Sequence, residues 1–131
     1  MERRGVILLD TNYLIRSLVN EAREAERVRE WLQEGEMLCT SAVVWYEFLC
    51  GPVDDEAVDL VRAILDDRVI PFTADQAIES ARLYLATGRQ RRLRVDGMIA
   101  AAAIVANAAL ATENTDDFRA FAPFGLRLHG M

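Results

Sequence analysis

Short apolar runs alternate along this chain with longer stretches of helical periodicity, and that order leaves few folds open. Residues 5–9, Gly-Val-Ile-Leu-Leu, form a continuous apolar run with no polar alternation, the pattern of a strand buried on both faces of a parallel sheet. Residues 37–40, 69–72, 109–112 and 126–129 are four more strand candidates. Pro71 marks the third as an edge, because proline cannot donate to a ladder. Parallel neighbours need long, usually helical, crossovers. The alternation therefore predicts an α/β fold with a central, mainly parallel five-stranded sheet flanked by helices. With 131 residues and no internal repeat or linker, residues 1–131 are expected to form one domain.

The helices can be placed from their caps. One should start directly after Asp10, capped by Thr11 or Asn12, with Tyr13, Leu14, Ile15, Leu18 and Val19 on its apolar side. A charge-rich helix over 21–33 turns Ala25, Val28, Trp31 and Leu32 inward and stops at Gly35. Ser41 caps a helix over 42–50 that Gly51 and Pro52 terminate, and Asp54 and Asp55 open another through 65. A long helix over 74–93, an alanine-rich one over 97–107 and a short one over 115–121 complete the set. Trp31 and Trp45 have apolar neighbours at helical spacing, which assigns them to core or dimer packing rather than base stacking.

Composition then removes whole classes of chemistry. All 15 basic residues are arginine, so no Schiff-base lysine, P-loop lysine or receiver-domain lysine exists. The single histidine, His129, leaves no histidine-rich zinc site and no Ser-His-Asp triad. Cys39 and Cys50 have no partner pattern and are expected as buried thiols in a reducing cytoplasm. The apolar run behind Arg3 and Arg4 is too short for a secretory leader. Residues 98–112, the least polar stretch, fall short of the roughly 20 apolar residues a bilayer span requires, so no membrane is expected. A net charge of −6 works against nonspecific nucleic-acid binding. Any such function must rest on local features.

Carboxylates remain. Active sites of open parallel sheets lie at the carboxyl ends of strands. Asp10 directly follows the first strand, and Asp116 and Asp117 lie just beyond the fourth. Glu47 has Val43, Val44 and Cys50 as helical neighbours, which puts an acid on an apolar face, and Asp96 opens the alanine-rich helix. Each has an ordinary explanation: a cap at Asp10, a helix-dipole partner at Asp96, an arginine pair at Glu47, and capping by Asp116 or Asp117. Together the acids are more persuasive. Carboxylates meeting within about 4–6 Å repel by a few kcal/mol per pair at an effective dielectric near 20. A divalent cation relieves that repulsion, and an all-oxygen set suits magnesium or manganese better than zinc. Magnesium that keeps water and binds phosphate points to phosphodiester hydrolysis.

Four strings carry a family resemblance: the apolar strand into Asp10-Thr11-Asn12, the helix bearing Glu47, Arg94-Val95-Asp96-Gly97-Met98-Ile99-Ala100-Ala101, and Ala111-Thr112-Glu113-Asn114-Thr115-Asp116-Asp117-Phe118. In order and spacing they resemble the PIN-domain nucleases, and within them the VapC-type toxins of bacterial toxin–antitoxin pairs. The resemblance implies a three-layer fold with five parallel strands, a homodimer, Mg2+ or Mn2+, endonucleolytic cleavage of RNA, and inhibition by a cognate antitoxin whose segment lies near the acids. By position, Asp10 and Asp96 look like the principal metal ligands, with Glu47 completing the site. Thr11 and Asn12 resemble the residues that orient the first acid. The family pattern T-x-N-x-x-D-F matches Asn114 and Asp117 and leaves Asp116 outside.

Arg89, Arg91, Arg92 and Arg94 form the only dense basic stretch. It reads equally as a phosphate-binding patch that leads RNA to the acids or as a solvated helix end. Two rivals stand beside the nuclease. One is a catalytically inactive module of the same fold that binds RNA or protein. The other is a phosphatase or receiver, disfavoured by Asn12 and by the missing lysine.

Overall fold

The computed structural model describes residues 5–130; Arg3 and Arg4 lie outside them. In chain order the elements are β1 (Val6–Leu9), α1 (Thr11–Arg16), α2 (Arg23–Gln33), β2 (Met37–Ser41), α3 (Ala42–Leu49), α4 (Asp55–Leu65), β3 (Val69–Ile70), α5 (Ala74–Ala86), α6 (Arg94–Val105), β4 (Ala109–Ala111), α7 (Thr115–Phe118) and β5 (Arg127–Leu128). The five strands form one parallel sheet in the order β3-β2-β1-β4-β5. Helices cover both sides in a three-layer α/β arrangement. Ile7, Leu8 and Leu9 point alternately to the two faces and are all at most 2% exposed, as the apolar run requires. β3 is an edge strand, as Pro71 implies.

Strand order determines where a site can form. The chain leaves β1 toward β2 and β3, then returns to the other flank of β1 as β4, which opens a crevice beyond the carboxyl ends of β1 and β4. Leu9 pairs with Ala111, and the Asp10 amide donates to the Ala111 carbonyl at 3.0 Å. On the other side, the buried Thr40 hydroxyl donates to the Leu9 carbonyl at 2.7 Å. The end of β1 is thus held from both flanks, and Asp10 leaves it from a rigid support.

Several local expectations need correction. Asp10 itself caps α1, because its carboxylate already accepts the Thr11 amide, so neither Thr11 nor Asn12 does. α1 stops at Arg16. Leu18 and Val19 therefore fall outside it, and only Tyr13 and Leu14 of its apolar set are buried, Ile15 and Val19 being exposed. α2 buries Ala25, Val28 and Trp31 but exposes Leu32. The helix expected over 74–93 ends at Ala86, since Gly88 and Arg89 take left-handed conformations, φ 86° and 58°, and a 3-10 turn at Arg91–Leu93 leads into α6. Cys39 is buried, whereas Cys50, at the C-cap of α3, is exposed. Ser41 caps α3 as expected, its hydroxyl accepting the Val44 amide at 3.1 Å. Trp31 is core: it stacks on Tyr13 and meets His129 edge-on.

α6 is buried along most of its length, with Gly97, Ile99 and Ala100 to Ala103 all enclosed. Its small side chains let it pack closely against α5 and the sheet. Gly97 adds the one backbone weakness in this helix. A Cβ there would meet the Phe121 ring and the Ser80 carbonyl at 3.8–3.9 Å, ordinary van der Waals contact. Gly97→Ala is therefore expected to raise stability by about 0.5–1 kcal/mol, read as a higher denaturant midpoint at unchanged slope.

Candidate active site

The acid that follows β1 is the most enclosed. Asp10 is 6% exposed. Its Oδ1 accepts the Thr11 amide at 2.8 Å and its Oδ2 accepts the Thr112 hydroxyl at 2.7 Å. Burial pushes its carboxyl above the usual range, and those two hydrogen bonds oppose the shift. Thr112 in turn accepts the Asn114 amide at 2.9 Å. One hydroxyl thereby fixes both the first acid and the turn after β4.

Glu47 reaches the same rim from α3 and accepts the Thr11 hydroxyl at 3.1 Å. It is exposed rather than buried on an apolar face, because Cys50 and Tyr46 beside it are themselves at the surface. The Asn12 side-chain carbonyl oxygen accepts the Glu113 amide at 3.3 Å and ties α1 to the turn after β4. Arg23 clamps the same turn through an ion pair with Glu113 at 3.1 Å.

Asp96, in the first turn of α6, is half-buried, and its carboxyl is pushed up to about 6. Desolvation is the largest cause, followed by repulsion from Asp10, Asp117 and Glu47, with Arg92 pulling the other way. A carboxyl that senses all three other acids shares a neighbourhood with them. The four acids come from residues as far apart as 10 and 117, and the fold gathers them at one edge of the sheet. Asp116 stays outside, 91% exposed at its side chain and paired with Arg119.

Asp117 has both oxygens engaged: Arg92 donates to Oδ1, and the Asn114 side-chain amide donates to Oδ2 at 3.2 Å. The basic stretch is thus divided. Arg92 faces the acids, Arg94 lies over the Tyr84 ring at 5.2 Å, and Arg89 and Arg91 are exposed. Sequence reasoning passed over Thr112 as a site residue, although the T-x-N string contains it.

Among the described residues, no group of three or more His, Cys, Asp and Glu is placed so that together they could hold a metal ion. The donors present are all carboxylate oxygens whose charges repel. That set fits a hard divalent cation held by one or two carboxylates and water, the usual manner of magnesium. A cavity of about 500 Å3 lies elsewhere, at the amino-terminal ends of β1 and β4 beside Gly5, Glu36, Asn107 and Arg127, and has Glu36 as the one acid in its lining.

No curated protein matches the chain by sequence. Solved structures do. FitAcB from Neisseria gonorrhoeae is similar at 25% identity and a TM-score of 0.69, over 93% of this chain and 95% of that one. A toxin-antitoxin complex from Klebsiella pneumoniae matches at 25% identity and 0.61, over 87% and 89%. VapBC2 from Rickettsia felis, bound to a promoter DNA fragment, shares the fold at 20% identity and 0.67, over 95% and 97%. The PIN domain model matches residues 7–122, which contain all four gathered acids. By that match, and by the parallel sheet whose edge collects those acids, the chain belongs to the PIN domain family.

Proposed function

We propose that this protein is a Mg2+-dependent endoribonuclease, with Mn2+ as an alternative metal, and the toxin of a toxin–antitoxin pair. The observation that carries the reading is the gathering of Asp10, Glu47, Asp96 and Asp117 at one edge of the sheet, where burial and the charges of the other three raise the Asp96 carboxyl. Such repulsion is destabilising, and a binding module would have no use for it. The PIN domain match and the Klebsiella pneumoniae toxin-antitoxin neighbour support the same reading. A cognate antitoxin, a homodimer and a cytoplasmic location belong to this proposal. Among the described residues no helix is long and apolar enough to cross a membrane.

In this reading Asp10 and Asp96 hold the cation, with Glu47 bound directly or through water. When bound, the cation supplies a water of lowered pKa and neutralises charge on the phosphoryl oxygens. The chain's own residues do the positioning. Thr11 and Thr112 fix the Asp10 carboxylate, the Thr11 hydroxyl steadies Glu47, and Asn114 orients Asp117. Glu47 or Asp117 takes the proton of the attacking water. The exposed Arg89 and Arg91, next to Arg92, offer phosphate contacts that offset the acidic body.

The test is direct. Purified protein is incubated with RNA in Mg2+, in Mn2+ and in EDTA. Internal cleavage with either metal, abolished by the chelator, is expected. RNA retention with no cleavage under any condition would favour the inactive binding module instead.

A further inference from the structure

The fourth acid is not idle. Asp117 has a donor on each carboxylate oxygen, Arg92 on Oδ1 and Asn114 on Oδ2. The two partners differ in kind. Asn114 lies three residues away in the same turn and is part of the local framework. Arg92 comes from the 3-10 turn before α6, anchored by the fully buried Leu93, so its backbone is fixed while its side chain stays 60% exposed. An exposed ion pair adds little to stability and exchanges easily. Its guanidinium fork also matches a phosphate at least as well as a carboxylate. Any phosphodiester brought to the acids arrives beside a cation already in place.

Resting on the nuclease reading, we propose that Arg92 is an exchangeable clamp: in the free protein it occupies Asp117, and on RNA binding it transfers to a phosphate oxygen and releases Asp117 to the metal site. Arg92 is then a positioning residue in the free state and a substrate contact in the complex. Metal and RNA bind with positive coupling, because RNA removes the guanidinium that occupies the Asp117 carboxylate and so frees its charge for the metal site.

The experiment uses the full chain and two readouts. Mn2+ alone is titrated into wild type and Arg92→Gln without RNA, and RNA cleavage is measured for both. The proposal expects Arg92→Gln to bind Mn2+ roughly 5-fold more tightly or better. Its kcat/KM for RNA should fall roughly 10- to 100-fold, mostly through KM. Arg92→Lys should lie between, since an ammonium keeps the charge but loses the fork. A purely structural role would weaken both readouts together. Loss of a positive charge alone would also attract Mn2+, so both titrations are repeated in Asp117→Asn. There the tightening should vanish, and a gain that persists undiminished overturns the clamp, as does an unchanged or weaker Mn2+ affinity in Arg92→Gln. If wild type fails to cut RNA yet the Asp117-dependent Mn2+ effect is present, the nuclease reading falls while the Arg92–Asp117 competition stands.

Discussion

Asp96→Asn is expected to abolish RNA cleavage while making the metal-free protein more stable. Loss of one of the two carboxylates proposed to hold the metal should lower kcat/KM by roughly 10³-fold or more, about 4 kcal/mol of transition-state stabilisation. Stability moves the other way, because Asp96 is charged at neutral pH in a place where burial and three acids disfavour the charge. Its carboxyl titrates near 6 in the folded protein and near about 3.9 when unfolded. Between those values the folded state binds the proton more tightly. The destabilisation is therefore fully present above pH 6 and disappears as the pH falls toward 4. With solvent screening of a half-exposed group discounted, relief on the order of 1 kcal/mol is expected at pH 7, a rise of about 3–4 °C in Tm. Melting curves in EDTA at pH 7 and pH 4.5 check this: the gap between variant and wild type should narrow at the lower pH. A variant less stable than wild type at pH 7 would show that Asp96 is not under that strain. Adding Mg2+ should stabilise wild type and not the variant.

Thr112→Val is expected to damage both the site and the fold. Thr112 Oγ1 gives the enclosed Asp10 carboxylate a side-chain hydrogen bond and accepts the Asn114 amide. Valine fills the space but leaves a buried carboxylate oxygen without its donor and a backbone amide without its acceptor. Hydrogen bonds to charged groups contribute about 1.5–3 kcal/mol, so a loss of about 2 kcal/mol in unfolding free energy is expected. Metal affinity or cleavage should fall roughly 10- to 100-fold, the usual consequence of removing a group that orients a ligand. Thr112→Ser keeps the hydroxyl and should recover most of both. Equal losses in the serine and valine variants would assign the effect to packing of the methyl group instead.

The legible parts were those encoded over short distances. The run at residues 5–9 announces a doubly buried strand, Ser41 a cap, Pro71 an edge, and Gly51 with Pro52 the end of α3; the structure has each of them. The position of Asp10 after β1 and of Asp117 after β4 was equally plain, because both depend only on where a strand stops. Among the local readings that the structure corrects, two show a neighbour outvoting periodicity. α5 carries on in pattern but not in space, since the left-handed Gly88 and Arg89 break it. Glu47 sits among apolar letters, yet two of the residues around it, Tyr46 and Cys50, are at the surface.

Local pattern thus settled which segments become strands and helices and which acids stand at their ends, because hydrophobic period and capping act within a few residues. Which acids meet was decided only by the sheet order β3-β2-β1-β4-β5, which puts the ends of β1 and β4 side by side. The hydrogen bond from Thr112 to Asp10, spanning 102 positions, and the hold of Arg92 on Asp117, spanning 25, exist only once that order is set. Side chains so far apart along the polypeptide leave no periodic trace in it, and only packing brings their charges within reach of one another.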